Sequence, residues 1–403
     1  MKNILIISPF LPWPLNSGGN TGVYYMLEYI CKYENIFFLT TYDKRQNNYK
    51  HLEEIKQRLP SVKFLVYDYR NSKFLKYEYL RKILRHILMK VKFGDSVCSM
   101  NKLNITDAIT PGFIDFVMDA IASNSIDIVQ IEFLGFHPLV YAIPKNIKTI
   151  FIHHELGWVR NELTFGSDKY SSFAKRYLKN SEISILNSFD VIASLTDIDK
   201  DKLLKAGVNT TIYVSTLAIS NKVFDYQKHE FANKLTFVGG NGHYPNFDGI
   251  KWFVCNVLPL VNTQKPDIIL EIIGAWSESA RNEIHAINKH IVFKGFVDNL
   301  SEGLKDSIMV VPINIGSGMR MKILEAANYS VPFVSTEIGI EGLDFEDSKD
   351  CYVSKDASEM AKQILELVNN KDLYQQFSVN VHNAFIEKYS ISILGTKRLA
   401  LYE

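Results

Sequence analysis

The sequence predicts an α/β protein built from two doubly wound, Rossmann-like domains, and three observations carry that expectation. Short apolar runs rich in β-branched residues alternate with longer amphipathic stretches, the series of runs restarts past the middle of the chain, and a polar segment separates the two series. Strands of a parallel sheet covered by helices on both faces are apolar throughout and need no alternation with polar residues. The first series is Ile4 to Ser8, Ile36 to Thr41, Val62 to Tyr67, Ile126 to Ile131, Thr149 to Ile152 and Val191 to Leu195. The second is Leu235 to Gly239, Ile268 to Gly274, Ile291 to Val297, Ile308 to Pro312 and Pro332 to Thr336, with helical stretches such as Phe247 to Val261 and Ala357 to Val368 between its members. The polar segment Ala218 to Lys234 places the boundary, giving an expected first domain of residues 1–220 and a second of 221–384. No repeat of 20 to 50 residues is present, which excludes a solenoid or propeller. Two such domains are expected to face each other across a central cleft at the carboxyl ends of their strands, where open α/β sheets bind ligands.

Composition narrows the function classes. A chain of 403 residues can bury two ordinary cores, and 47% hydrophobic with 22% charged residues is the balance of a globular protein. The net charge of +1 supplies no field for nucleic acid, which is not an expected partner. Cys31, Cys98, Cys255 and Cys351 are far apart and form no Cys-x-x-Cys pair, so neither a disulfide framework nor a metal site is expected and a reducing cytoplasm fits best. The apolar start, Ile4 to Ile7, runs into Pro9, Pro12 and Pro14, too short and broken for a signal peptide, and no apolar run is long enough to span a bilayer.

The most informative segment runs from Pro312 to Ala327: Pro-Ile-Asn-Ile-Gly316-Ser317-Gly318-Met-Arg320-Met-Lys322-Ile-Leu-Glu325-Ala-Ala. A strand that ends in a glycine-containing loop and opens a helix offers free backbone N–H groups and the positive helix end to an anion such as a diphosphate. Arg320 and Lys322 add two cations where the helix dipole disfavours them, an arrangement a phosphate ligand would neutralise. Glu325, inside the helix, can accept hydrogen bonds from the vicinal hydroxyls of a ribose. A second glycine-bearing element, Thr336-Glu-Ile-Gly339-Ile-Glu341-Gly342, closes the next strand.

The segment Gly316 to Gly342 resembles the C-terminal signature of glycosyltransferase family 4, retaining enzymes of the GT-B fold that use nucleotide-sugar donors. The resemblance rests on the Gly-x-Gly-x-Arg-x-Lys-x-x-Glu-Ala core, the strand Val331 to Thr336 and the Gly-x-Glu-Gly turn, and extends more loosely over the chain. It implies a two-domain enzyme whose last segment, residues 385–403, crosses back onto the first domain. The family signature has two glutamates; Glu325 matches the second, and Ser317 stands at the first. Where many relatives carry an Arg and a Lys after the second series' first strand, this chain reads Gly239-Gly-Asn-Gly-His-Tyr-Pro-Asn246, and Arg320 and Lys322 are expected to take over the diphosphate.

In the first domain, Gly18 and Gly19 follow the first strand and permit close approach of a phosphate to the backbone. Phe151-Ile-His153-His154-Glu155 ends another strand, and the resemblance implies that His154 hydrogen-bonds the donor sugar. His153 and Glu132, also at a strand end, are candidates for contact with the acceptor. The expected reaction is transfer from a nucleoside-diphosphate sugar, as co-substrate and without a separate cofactor, to a glycan or lipid-linked acceptor, as in bacterial surface polysaccharide synthesis. The alternatives are a nucleotide-sugar epimerase of the same fold and a non-catalytic partner of an active transferase. No Asp-x-Asp pair is placed to hold a divalent ion on a diphosphate, so metal independence is expected. Arg70 to Lys92 carries eight Lys or Arg and one Glu, with Leu80, Leu84, Ile87, Leu88 and Val91 near helical spacing, the pattern of a helix lying on an anionic membrane surface.

Overall fold

The computed structural model describes residues 1–42, 48–68, 109–220, 234–297, 299–316 and 318–403, together with positions 84, 87, 105, 226, 229 and 230. The chain divides into two compact units, Met1–Ala218 with Gly395–Glu403, and Ile219–Leu394.

The first unit is a parallel sheet of β1 (Asn3–Ile7), β2 (Asn35–Thr41), β3 (Lys63–Tyr67), β4 (Ile128–Glu132), β5 (Lys148–His153), β6 (Val191–Ser194) and β7 (Thr211–Val214), in the order β3-β2-β1-β4-β5-β6-β7. Ile4 sits in register with Ile36 on one side and Ile128 on the other. Leu5, Ile7, Val129, Ile131 and Phe151 of these strands are buried against Phe113, Val117 and Phe136 of the crossovers. That double burial explains the uninterrupted apolar runs. Strand order reverses between β1 and β4, leaving a crevice beyond their carboxyl ends.

The second unit repeats the topology. Its strands β8 (Lys234–Val238), β9 (Ile269–Ile273), β10 (Ile291–Gly295), β11 (Ile308–Val311), β12 (Phe333–Thr336) and β13 (Tyr352–Ser354) are ordered β10-β9-β8-β11-β12-β13, all parallel. The reversal here falls between β8 and β11, the strands that precede the Gly239 loop and the Gly316 loop.

Two edge strands, β7 and β13, are additions to the sequence reading. β7 is half exposed and alternates along its length, and β13 has three residues, so neither forms the apolar run of a central strand. The expected helix Phe247 to Val261 is two helices, Tyr244–Asn256 and Leu258–Gln264, because Pro259 lacks the N–H that would continue the first. The helix Lys371–Tyr389 belongs to the second unit, where Phe377, Val381 and Phe385 are buried, so the return to the first unit begins at Gly395 rather than at 385.

Gly395 lies in the returning helix Ile391–Leu399, and a Cβ there would stand 2.2 Å from the Tyr29 ring of the helix Gly18–Ile30. Overpacking of this kind costs about 1 to 3 kcal/mol. Gly395→Ala is therefore expected to lower the denaturation midpoint by that equivalent in a urea titration, and an unchanged midpoint would show that the helix docks with room to spare.

Candidate functional site

In the second unit each strand is followed by a helix, and the way those helices begin singles out the crevice. Helices after β9, β10, β12 and β13 are capped by the side chains of Ser277, Asn299, Thr336 and Asp356. The helices after β8 and β11, Tyr244–Asn256 and Met321–Asn328, have no side-chain cap. Both open on the point where strand order reverses, so uncapped N–H groups gather at one place, as an anion site requires.

The side chains of those two helices meet there. Lys322 Nζ donates to Asn246 Oδ1 at 2.8 Å and sits 3.9 Å from the centroid of the Phe237 ring. Asn246 in turn donates from Nδ2 to the Gly240 carbonyl at 2.9 Å, and Trp276 Nε1 donates to the Gly239 carbonyl at 2.8 Å. Gly239 has φ +145°, and a Cβ would lie 2.7 Å from Asn246 Nδ2 and 3.0 Å from Lys322 Nζ, so only glycine lets these groups close over the loop. Arg320 is 7% exposed and donates from its guanidinium to the Gly318 carbonyl at 2.7 Å, folding back over the loop in which Gly316 takes φ +109°. Ser317 lies outside the described residues.

Among the described residues no carboxylate lies within ion-pair range of Lys322. Desolvation, then the adjacent Arg320 charge, lowers its pKa to about 7. Desolvation raises that of Glu325 to about 7 against the opposing pull of Lys322. His243, at the N-cap of the helix Tyr244–Asn256, is held below the ordinary histidine range by desolvation and by Arg320 and Lys322. His243 and Trp276 were not singled out in the sequence, where a histidine and a tryptophan in loops carry no spacing signal. Gly339, in the next element, instead donates its N–H to Thr336 Oγ1 at 2.9 Å as part of a cap.

In the first unit, Gly18 and Gly19 open the helix Gly18–Ile30, with Ser17 Oγ accepting from the Asn20 N–H at 3.2 Å. A Cβ on Gly19 would lie 3.3 Å from the Phe133 ring. Phe133 follows β4 with φ +64°, a strained setting for an aromatic residue, and stacks on the His154 ring at 3.6 Å and 11°. His154 Nε2 is 2.5 Å from Glu132 Oε2. The structure thus joins two sequence candidates 22 residues apart into one pair.

Glu132 is 2% exposed, and its other oxygen is held from behind. Gln130 Nε2 donates to Glu132 Oε1 at 2.7 Å, and Arg398 NH1 lies 3.9 Å from the same oxygen. The adjacent His153 points to the interior: it is completely buried, with Nε2 3.2 Å from Glu182 Oε1. A ring so placed presents nothing to an acceptor, because successive residues of a strand face opposite sides of the sheet.

Residues 232–370 match the family described as "Glycosyl transferases group 1". Over 96% of its length the chain is 24% identical to an uncharacterized 44.6 kDa protein in the cps region of Klebsiella pneumoniae, covering 97% of that protein. A shorter stretch, 29% of the chain, is 30% identical to poly(ribitol-phosphate) alpha-N-acetylglucosaminyltransferase of Staphylococcus aureus strain COL, covering 24% of it. The fold matches crystal structures of TarM. One superposes with a TM-score of 0.71 at 16% identity, covering 100% of this chain and 99% of the other. Another is a point mutant of S. aureus TarM in complex with fondaparinux, alpha-GlcNAc-glycerol and UDP, with a TM-score of 0.68 at 14% identity over the whole of both chains. The paired sheets and the matched domain define the chain as a glycosyltransferase of the GT-B fold.

Proposed function

We propose that this glycosyltransferase is a retaining, metal-independent enzyme that takes a sugar from a nucleoside-diphosphate donor and adds it to a glycan or lipid-linked acceptor of a bacterial cell surface. The observation that carries the donor assignment is the pairing of two uncapped helix ends with Arg320 and Lys322 at the reversal point of the second sheet. A departing diphosphate needs fixed positive charge and oriented N–H groups rather than a protein nucleophile. Glu325 is assigned to the ribose hydroxyls, and His154, backed by Glu132, to the sugar during transfer. The cps-region relative and the ribitol-phosphate transferase support a surface-glycan product, and the UDP in the TarM complex supports a uridine donor.

The test is release of nucleoside diphosphate by purified protein from a panel of nucleotide sugars, run in EDTA with and without cell-wall glycan. Acceptor-dependent release in EDTA is the expected result. Release that requires magnesium or manganese would overturn metal independence, and donor consumption without acceptor would favour an epimerase.

The basic segment Arg70 to Lys92 lies, apart from Leu84 and Ile87, outside the described residues. No helix among the described residues is long and apolar enough to cross a membrane. Peripheral attachment of a cytoplasmic enzyme through this segment is supported by its charge, each basic residue near an anionic surface contributing about 1 kcal/mol. Replacing Arg81, Lys82 and Arg85 with Gln should abolish salt-sensitive binding to phosphatidylglycerol vesicles, and equal binding by parent and variant would dismiss the idea.

A further inference from the structure

The segment Gly395–Glu403 belongs to the first unit, and two of its side chains are among the most deeply buried polar groups of the described residues: Arg398 and Tyr402 are each 1% exposed. Burying an arginine is costly unless its charge is paired. Arg398 donates from Nε to Ser215 Oγ at 2.7 Å and from NH2 to the Ser215 carbonyl at 3.2 Å, which fixes the plane of the guanidinium. The remaining terminal nitrogen, NH1, is the one 3.9 Å from Glu132 Oε1. Tyr402 donates its hydroxyl to Gln130 Oε1 at 2.8 Å. Burial raises the phenol's pKa, so the group stays protonated and acts as donor. An amide whose oxygen accepts from Tyr402 must present its NH2 the other way, and Gln130 Nε2 does donate to Glu132 Oε1.

These contacts converge on one carboxylate oxygen and leave the other for His154. We propose that Arg398 and Tyr402 are positioning residues for the Glu132–His154 pair: they hold the Glu132 carboxylate so that Oε2 faces His154 Nε2 and keeps the proton on that nitrogen. The Phe133 ring fixes the imidazole plane from its face. Nδ1 is then the nitrogen not engaged by the carboxylate. A salt bridge serving stability alone would not require a tyrosine to orient a glutamine on the same oxygen. The returning segment thereby acts on the candidate site through Gln130 and Glu132 of β4. The geometric inference concerns the histidine's state, whereas its catalytic consequence rests on the proposed role of His154.

The experiment reads the imidazole directly. In protein labelled with ¹⁵N-histidine, the His154 signal is identified by its loss in His154→Asn. The parent is expected to show a retained Nε2–H correlation, preserved in Arg398→Lys. In Arg398→Met and Tyr402→Phe that proton should exchange with water at least threefold faster or its nitrogen shift should move. Tyr402→Phe removes one oxygen and keeps the packing, so it reports even where Arg398→Met fails to fold. A His154 signal identical in Tyr402→Phe and the parent overturns the proposal. Transfer rates separate it from the functional reading. An active His154→Ala protein would remove the role of His154 while leaving the positioning intact. An inactive one with a silent Tyr402→Phe spectrum would remove the positioning and leave the role.

Discussion

Calorimetry of Arg320→Ala and Lys322→Met is expected to show each variant binding UDP about 10- to 150-fold more weakly than the parent, the loss of a charged hydrogen bond worth ~1.5 to 3 kcal/mol. Lys322→Met carries a second expectation of opposite sign. The parent lysine is half-buried beside Arg320, and desolvation lowers its pKa from 10.5 to about 7. Between those values the unfolded chain holds a proton that the folded chain does not, so stability rises with pH across that window. At neutral pH the lysine is thus a burden on the unliganded fold, and methionine, similar in length and uncharged, should raise the melting temperature. Diphosphate restores the reason for the charge. UDP binding by the parent at pH 8 should take up a proton, visible as a buffer-dependent heat, and affinity should fall as pH rises above about 7. Unchanged affinity in both variants would place the nucleotide elsewhere. Glu325 titrates in the complementary window: its pKa is raised from 4.5 to about 7, so the folded chain holds the extra proton there and stability falls as pH rises through it. The ionised form is the one that serves ribose hydroxyls, and Glu325→Gln should narrow the preference for ribo- over deoxyribonucleotides.

For His154→Ala the expected loss is in turnover, roughly 10²- to 10³-fold, the scale on which one preorganised hydrogen-bonding group acts at a transition state. The UDP dissociation constant should stay within about twofold, because Arg320, Lys322 and Glu325, assigned to the diphosphate and ribose, belong to the second unit. Glu132→Gln should resemble it more mildly, since an amide still reaches the imidazole but cannot fix its proton in the same way. A His154→Ala enzyme with full turnover would remove His154 from the reaction.

These expectations differ in how far the sequence foretold them. Central strands were legible because double burial writes apolar runs into the chain, and the loop from Gly316 was legible because its glycines, cations and Glu325 are close neighbours along it. The edge strands β7 and β13 were not, β7 because one side is exposed and β13 because it has only three residues. Asn246 was named as part of a departure from the family pattern, yet its bond to Lys322 spans 76 positions and only the fold supplies it. The pairing of His154 with Glu132 was hidden for the same reason. Arg398 reads in sequence as an ordinary basic residue in the last turn of a helix, and nothing nearby signals that it lies in the interior. The two adjacent histidines were legible as a polar strand end, but the alternation of the sheet gives them different fates: His153 to Glu182, His154 to Glu132.

The first unit is discontinuous, and this sets an order of events during synthesis. Its sheet is fully translated when Ala218 is made, but Arg398 and Tyr402 arrive only after the whole second unit has been translated. At about 5 to 20 residues per second that interval is on the order of ten seconds or more. Throughout it the buried Glu132 lacks Arg398, whereas the second unit has every strand it needs once Ser354 is made. The nascent first unit would therefore stay open to water along β4 until Gly395–Glu403 closes it. A ribosome that stalls or terminates ahead of Gly395 would release a protein holding all of its second unit and unable to finish the first.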